Sequence, residues 1–428
     1  MSTRERGQDP VHDVVGIGFG PANLALAIAV EEHNAAARSS DRVDAVFLER
    51  QPEFRWHRGM LIDGTVMQVS FLKDLATMRN PASAFGFVSY LHHRGRLVDF
   101  INHKTLFPTR VEFHDYLTWA AEKMRHAVRY GQEVVAVRSA GNHLEVDTRD
   151  GTVRARNVVF GVGLSPVLPA GVERSGRVWH SSELLHRAPD LADPRRLVVV
   201  GAGQSAAECT DYLHSTFPDA EVCSVFTRYG YSPADDSPFA NRIFDPGAVG
   251  EFFHAEDDVK ARLMDYHRNT NYAVVDLELI EELYRKEYQE KVTGRPRLRM
   301  LGATAVTGVA ETAGHVAVRV RSLLDGTPRV LTADAVVFAT GYEPADIRPL
   351  LGDLDRHCVR DERGLPVVAR DYRMRTDAAV HCGLYLQGGT EHSHGITSSL
   401  LSNVAVRGGE ILSSVLHRRA AVPTLLAA

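Results

Sequence analysis

Two short glycine turns, each set between an apolar strand pattern and a helix pattern, constrain this 428-residue chain more than any other feature. The first lies in DVVGIGFGPANLALAIAVEE and the second in RLVVVGAGQSAAECTDYLH. In Gly16-Ile17-Gly18-Phe19-Gly20-Pro21 the first glycine is expected to make the turn. The second lets backbone N–H groups approach a pyrophosphate, and the following helix N-terminus favours that anion. The next strand, AVFLE, ends in Glu49, the acidic partner expected for a ribose diol. The second turn, Gly201-Ala202-Gly203-Gln204-Ser205-Ala206, is followed by EVCSVFTR, which ends in Thr227-Arg228 with no acid. An arginine there suits a 2′-phosphate and so favours NADPH over NADH; the alternative is a plain surface arginine. Each unit continues through a hairpin, turning at Asp150-Gly151 and at Asp325-Gly326, into a buried strand, NVVFGVG or AVVFATG.

A nucleic-acid surface is not expected, because the net charge is −5 with both signs interspersed. The polar start MSTRERGQDP has no apolar signal core behind it, and VVGIGFGPANLALAIAV is broken by Gly, Pro and Asn. No membrane span and a cytoplasmic location are therefore expected. The cysteines at 209, 223, 358 and 382 form no CxxC pair, which speaks against a disulfide reductase or a structural zinc. Electrons would then pass from NADPH to a flavin and on to dioxygen or an external acceptor. A monooxygenase comes first, with a reductase or oxidase next.

The expected fold class is α/β, with two Rossmann-like dinucleotide-binding domains (FAD and NADPH) and a smaller helical insert. The FAD domain is expected over 1–190 and 335–428 and the NADPH domain over 191–248 and 294–334. Residues 249–293 show helical periodicity, as two helices separated by HRNTNY, and are the expected substrate-binding insert.

One lysine stands out. Lys73 lies in MQVSFLKDLATMRNP among Met67, Val69, Phe71 and Leu72, too irregular for a strand and too short for an amphipathic helix. It is either a snorkelling surface lysine or an anchor for an anionic substrate group. Glu391-His392-Ser393-His394 has the look of a metal site, but no second cluster supplies further ligands, so no metal is expected. A turn beside the flavin, leading into a helix over HGITSSLLS, is the preferred reading there. His57, His92 and His93 are taken as structural or stacking residues, and Trp56 either stacks near a flavin or fills the core.

The segments GFGPANLALA, ERQPEFRWHRGM, MQVSFLKDLATMRNPASAFGFVSYLHHRGRLVDF, FPTRVEFHDYL, GAGQSAAE, DDSPFANRIFDP, YHRNTNYAVVD, ATGYEP and HGITSSLLSNVAVR run through nearly the whole chain. On them the chain resembles the flavin-dependent N-hydroxylating monooxygenases, most closely the L-ornithine N-monooxygenases of siderophore and related biosynthesis. The resemblance implies that NADPH reduces FAD, that dioxygen adds to give a flavin hydroperoxide, and that the substrate δ-amine takes its distal oxygen. It implies FAD contacts from Glu49 to His57 (Trp56 included), Gln68, Val134, and Ser399, Leu400 and Leu401. NADP contacts would come from Ala202, Gly203, Gln204 and Ser205 and from Asn271, Tyr272 and Ala273. Lys73, Asn241, Asn271 and Ser402 would hold ornithine. Members of the family are often homotetramers.

On this view no side chain acts as a strong acid or base, since the flavin carries the chemistry. Lys73 grips the substrate carboxylate, and its apolar neighbours exclude water. The amine must be neutral to react; by analogy with lysine, deprotonation near pH 7 costs roughly 3 pKa units, or about 4 kcal/mol. Asn241 offers an uncharged acceptor there, so Asp235 and Asp236 are expected not to touch the amine. Gln68 and Asn271 could hydrogen-bond the flavin edge or the nicotinamide amide. The nearest competing substrate is L-lysine; from another class, the chain could be a non-catalytic NADPH-sensing flavoprotein.

Overall fold

β1 (Val11–Ile17) carries the apolar run into the first glycine turn, with Val14, Val15 and Ile17 buried as a central parallel strand requires. The computed structural model containing it describes residues 10–425 except 268, 269, 271, 272 and 313, with backbone alone for 421–425. β1 pairs in parallel with β2 (Ala45–Glu49) on one side and β6 (Thr152–Phe160) on the other. With β3 (Val128–Tyr130), β4 (Val134–Ser139) and β5 (Leu144–Thr148), the sheet order is β3-β2-β1-β6-β5-β4. The first half of β6 pairs antiparallel with β5 through the Asp150-Gly151 turn; its second half pairs in parallel with β17 (Gly383–Leu386).

α1 (Pro21–Ala36) packs on the helix Val404–Leu425. A Cβ at Gly408 would lie 3.1 Å from the Leu26 backbone nitrogen, so this glycine lets the two helices approach closely. α2 (Phe87–His93), α3 (Leu97–His103) and α4 (Arg110–Lys123) cover the same face. Phe87, Tyr90, Phe113, Tyr116 and Trp119 interlock there, with neighbouring ring centroids 5.3 to 6.2 Å apart.

β7 (Leu164–Pro166) leaves this unit and β16 (Tyr342–Pro344) returns to it, and the two pair antiparallel. The second unit thus hangs from a two-stranded ribbon. Its parallel sheet has the order β11-β10-β9-β15-β8. The strands are β8 (Val178–His180), β9 (Arg196–Val200), β10 (Glu221–Val225), β11 (Leu298–Leu301) and β15 (Ala335–Phe338). An antiparallel meander, β12 (Thr304–Thr312), β13 (His315–Ser322) and β14 (Pro328–Ala333), packs beside it, with Asp325-Gly326 turning the second hairpin.

The expected boundaries change in two places. β8 and β15 were assigned to the FAD unit (1–190 and 335–428), but both pair within the second sheet. A short apolar strand carries no local mark of which sheet will bury it. The insert also differs, with helices over Pro246–His254, Asp257–Tyr266 and Leu277–Thr293. The last does not stand apart: Leu283 is buried in the second unit's core, Lys286 bonds Asp211 and Glu290 bonds His214.

Candidate active site

The first glycine turn is held from inside. The Asn23 carboxamide, fully buried, donates to the Ile17 and Gly18 carbonyls. Gly18 rather than Gly16 makes the turn, because Gly18 has φ 82° and a Cβ there would meet the Gly161 carbonyl oxygen at 2.5 Å. Gly16 is needed for another reason: its Cβ would enter the Phe47 ring. Gly20, followed by Pro21, caps α1 with no side-chain hydrogen bond and open space on its free side. The α1 N-terminal amides therefore remain for an anion. Glu49 ends β2 beside them; its carboxylate accepts the Phe19 N–H at 2.7 Å and the Gln51 N–H at 2.8 Å, which fixes it for a diol. The Gln132 N–H bonds the Glu49 carbonyl, and Val134 opens β4 two residues on. This set fits the dinucleotide half of FAD.

The second turn uses its first glycine. Gly201 has φ 146°, and a Cβ there would lie 2.4 Å from the Ala339 carbonyl oxygen. Ala202, Gly203 and Gln204 lead into the helix Gln204–Thr216, which has no side-chain cap. Ala273 packs over the turn, its Cα 3.3 Å from the Cβ position of Gly203. Gln204 accepts the Asp276 N–H at 2.8 Å and so ties the turn to the start of the helix Leu277–Thr293; Ser205 follows it. Arg228 lies half-buried just past β10, next to the strand that carries the turn. Asn271 and Tyr272 lie outside the described residues.

Between the two turns sits a junction that the motifs did not disclose. Arg110 on α4 donates to Glu208 on the helix Gln204–Thr216 through two nitrogens, at 2.8 and 2.6 Å, and to the Met60 carbonyl at 2.9 Å. Glu208 also accepts from the Gln204 amide at 3.0 Å. The FPTRVEF segment was part of the family pattern, but an arginine and a glutamate 98 residues apart give no sequence sign of pairing. His57, beside this junction, is exposed by surface area although protein atoms surround its ring closely. That desolvation, with the Arg110 charge adding to it, lowers its pKa to about 4, so His57 is neutral at physiological pH. Its ring stands edge-on to Trp56, with centroids 4.9 Å apart, and Tyr342 of the connecting ribbon lies 6.2 Å away. Trp56 is half-buried against Phe113.

The predicted amino-acid residues converge from three segments. Residues 67–81 form consecutive turns, pinned where the Met67 N–H bonds the Pro108 carbonyl and the Phe71 N–H bonds that of Leu106. Asp74 is buried and accepts from the Ala76, Thr77 and Phe87 N–H groups and the Thr77 hydroxyl, which fixes the loop around Lys73. Lys73 is half-buried, has no carboxylate partner among the described residues, and places Nζ 5.8 Å from the Phe244 ring centroid. Phe244 closes the 3₁₀ turn Ala240–Phe244 that carries Asn241, whose amide donates to the Asp236 carbonyl at 2.7 Å. Asn403, next to buried Ser402, donates to the Phe244 carbonyl at 3.1 Å. Of the apolar neighbours expected to shield Lys73, Met67 is buried and Val69 and Phe71 pack on the core, but Leu72 turns outward at 43% exposure. Gln68 lies exposed on the same loop.

HGITSSLLS is not the expected helix. Ile396–Ser399 and Leu401–Asn403 are two 3₁₀ turns joined at Leu400, and the long helix begins at Val404. Burial explains this: Thr397, Ser398, Ser402 and Asn403 are all buried, and two of them take bonds outside any helix, Ser398 to Thr390 and Asn403 to Phe244. Nor do the two nearby histidines share a centre: His392 bonds the Pro366 carbonyl, while His394 stacks on Tyr372 at 4.2 Å.

Known proteins resemble this chain over nearly its whole length. The family described as L-lysine 6-monooxygenase/L-ornithine 5-monooxygenase matches residues 10–344. An L-ornithine N(5)-monooxygenase of Pseudomonas aeruginosa is 39% identical over 422 residues, covering 95% of this chain and 94% of the relative. The ornithine N-hydroxylase KtzI of Kutzneria sp. 744, solved with reduced FAD, NADP+ and L-ornithine, is 50% identical with a TM-score of 0.92, over 96% of this chain and all of the other. The L-lysine 6-monooxygenase of Pseudomonas syringae is 33% identical with a TM-score of 0.85, over 95% of this chain and 99% of the other. With a family match over most of its length and relatives this similar across nearly all of it, the chain belongs to the L-lysine 6-monooxygenase/L-ornithine 5-monooxygenase family.

Proposed function

We propose that this enzyme hydroxylates the δ-amine of L-ornithine with NADPH and dioxygen, in siderophore or related biosynthesis. Bound FAD, reduced by NADPH, supplies the oxygen-activating chemistry. The first turn and Glu49 would hold FAD, with Trp56, His57, Gln68, Val134 and Ser399 to Leu401 along it. The second turn with Arg228 and Ala273 would hold NADPH.

The observation that carries the substrate assignment is the meeting of Lys73, the Asn241 turn and Asn403, the neighbour of Ser402, at Phe244. An amino-acid carboxylate needs a cation, and Lys73 offers one in a half-buried setting where water screens it less. The far nitrogen must lose a proton, which a neutral carboxamide tolerates and a carboxylate would oppose. Asp235 and Asp236 are exposed, consistent with the expectation that they stay away from the amine. Greater likeness to KtzI than to the lysine enzyme supports ornithine, although one methylene is worth only about 1–3 kcal/mol of discrimination.

The test is side-by-side turnover of ornithine and lysine by the FAD-loaded enzyme, with product identified by mass spectrometry. Hydroxyornithine should predominate, and Lys73→Ala should raise the ornithine KM on the order of 10- to 100-fold, the worth of one charge-assisted hydrogen bond. Hydroxylysine as the preferred product would overturn the substrate assignment.

We extend the proposal to a homotetramer. α3 leaves Val98 68% and Ile101 63% exposed beside Leu106 and Phe107, an apolar face that another copy would cover; light scattering decides this. Among the described residues no helix is long and apolar enough to cross a membrane. A cytoplasmic location is part of the same proposal.

A further inference from the structure

Asn403 presents an unfinished hydrogen-bond pattern beside the substrate residues. It closes the 3₁₀ turn Leu401–Asn403, directly after Ser402, and is 3% exposed. Its Nδ2 donates to the Phe244 carbonyl, while its Oδ1 is buried and has no hydrogen-bond partner among the described residues. Exchanging the two atoms does not help, because it would set a carboxamide oxygen against a carbonyl oxygen. A buried acceptor without a donor is costly and uncommon in native proteins, so this one calls for a donor supplied from outside the chain.

The surroundings narrow the identity of that donor. The carbonyl that Asn403 holds belongs to Phe244, whose ring faces the Lys73 ammonium. Asn403 is thereby tied to the residue whose ring lies against Lys73, the cation that is to hold the substrate carboxylate. In an α-amino acid the ammonium is one carbon from the carboxylate. It brings three N–H donors that must be satisfied once water is excluded.

We propose that Asn403 is a further substrate-binding residue, whose carboxamide oxygen accepts a hydrogen bond from the α-ammonium of the amino-acid substrate while its nitrogen fastens the Asn241 turn. This rests on the ornithine reading above. It gives the site a neutral acceptor for an amino group, and it assigns recognition of the α-amino group to a residue outside the Lys73, Asn241, Asn271 and Ser402 set.

The two functions of the side chain can be separated. Asn403→Leu removes both the acceptor and the donor, whereas Asn403→Asp keeps an acceptor and loses the donor to Phe244. Using FAD-loaded enzyme with NADP+, ornithine binding by calorimetry and ornithine KM should weaken on the order of 10- to 100-fold in Asn403→Leu, the worth of a hydrogen bond to a charged group. Asn403→Asp should stay within about threefold of wild type, because its carboxylate still pairs with the ammonium. Equal losses in both variants would assign Asn403 to fastening alone and overturn the proposal, as would unchanged affinity in Asn403→Leu. Should Asn403→Leu fail to retain FAD, Asn403→Asp decides: near-native affinity upholds the contact and a tenfold loss refutes it. Failure of wild-type enzyme to hydroxylate ornithine would instead strike the functional reading itself.

Discussion

Replacing Glu208 with leucine should loosen the seat between the two dinucleotide units. The Glu208 side chain is 2% exposed and its partner Arg110 13%, so the pair lies far from the solvated limit in which an ion pair is worth about 0–1 kcal/mol. Removing the carboxylate leaves the guanidinium, among the described residues, with only the Met60 carbonyl in a largely dry junction. Stranding one member of a buried pair costs about 3–5 kcal/mol. The pair joins α4 of one unit to the helix Gln204–Thr216 of the other, so the loss should fall on their docking. Gln204 also loses its Glu208 partner, and the NADPH KM should rise with it. Urea titration followed by release of bound FAD, on wild type, Glu208→Leu, Arg110→Met and the double variant, measures the effect. Each single change should cost about 3–5 kcal/mol, and the double change much less than their sum, because swapping a whole buried pair for apolar groups is often near neutral. A single-variant cost below about 1 kcal/mol, or strict additivity, would show that the pair does not bind the units together.

Other outcomes follow from the same geometry. Gly18→Ala should abolish FAD retention, measured by flavin absorbance after gel filtration, because a Cβ at φ 82° meets the Gly161 carbonyl. Arg228→Ser should cut the NADPH-over-NADH preference on the order of 10- to 100-fold in kcat/KM if Arg228 contacts the 2′-phosphate; an unchanged ratio would place it elsewhere. Burial lowers the His394 pKa from 6.5 to about 4, so the unfolded chain takes up a proton that the folded chain resists. Its stabilising contribution is complete above pH 6.5 and fades as pH falls through that window, by about 2 kcal/mol between pH 7 and 5. Unfolding midpoints of His394→Phe should be less sensitive to that change of pH than those of wild type.

Local chemistry was the legible part of this molecule. The glycine turns, Glu49 at the end of β2 and the Asp-Gly hairpins read correctly because each depends on neighbours a few residues away. The irregular Lys73 segment also read as neither strand nor helix, and it is a chain of turns. HGITSSLLS misled, because its buried Ser398 is claimed by Thr390 and the Asn403 that follows it by Phe244. The roles of the first two glycines in GIGFGP were exchanged for a similar reason: the Phe47 ring that requires Gly16 comes from another strand.

Sequence by itself determined the class of the protein, two nucleotide units of alternating strand and helix, since periodicity and turn chemistry act over single elements. Tertiary structure decided which sheet received β8 and β15, how β7 and β16 joined into one ribbon, and which charges met at Arg110 and Glu208. It also brought Asn403 to Phe244 across 159 residues. Those pairings depend on which buried surfaces close against each other, and an apolar strand or a lone carboxamide is compatible with many partners until packing leaves it one.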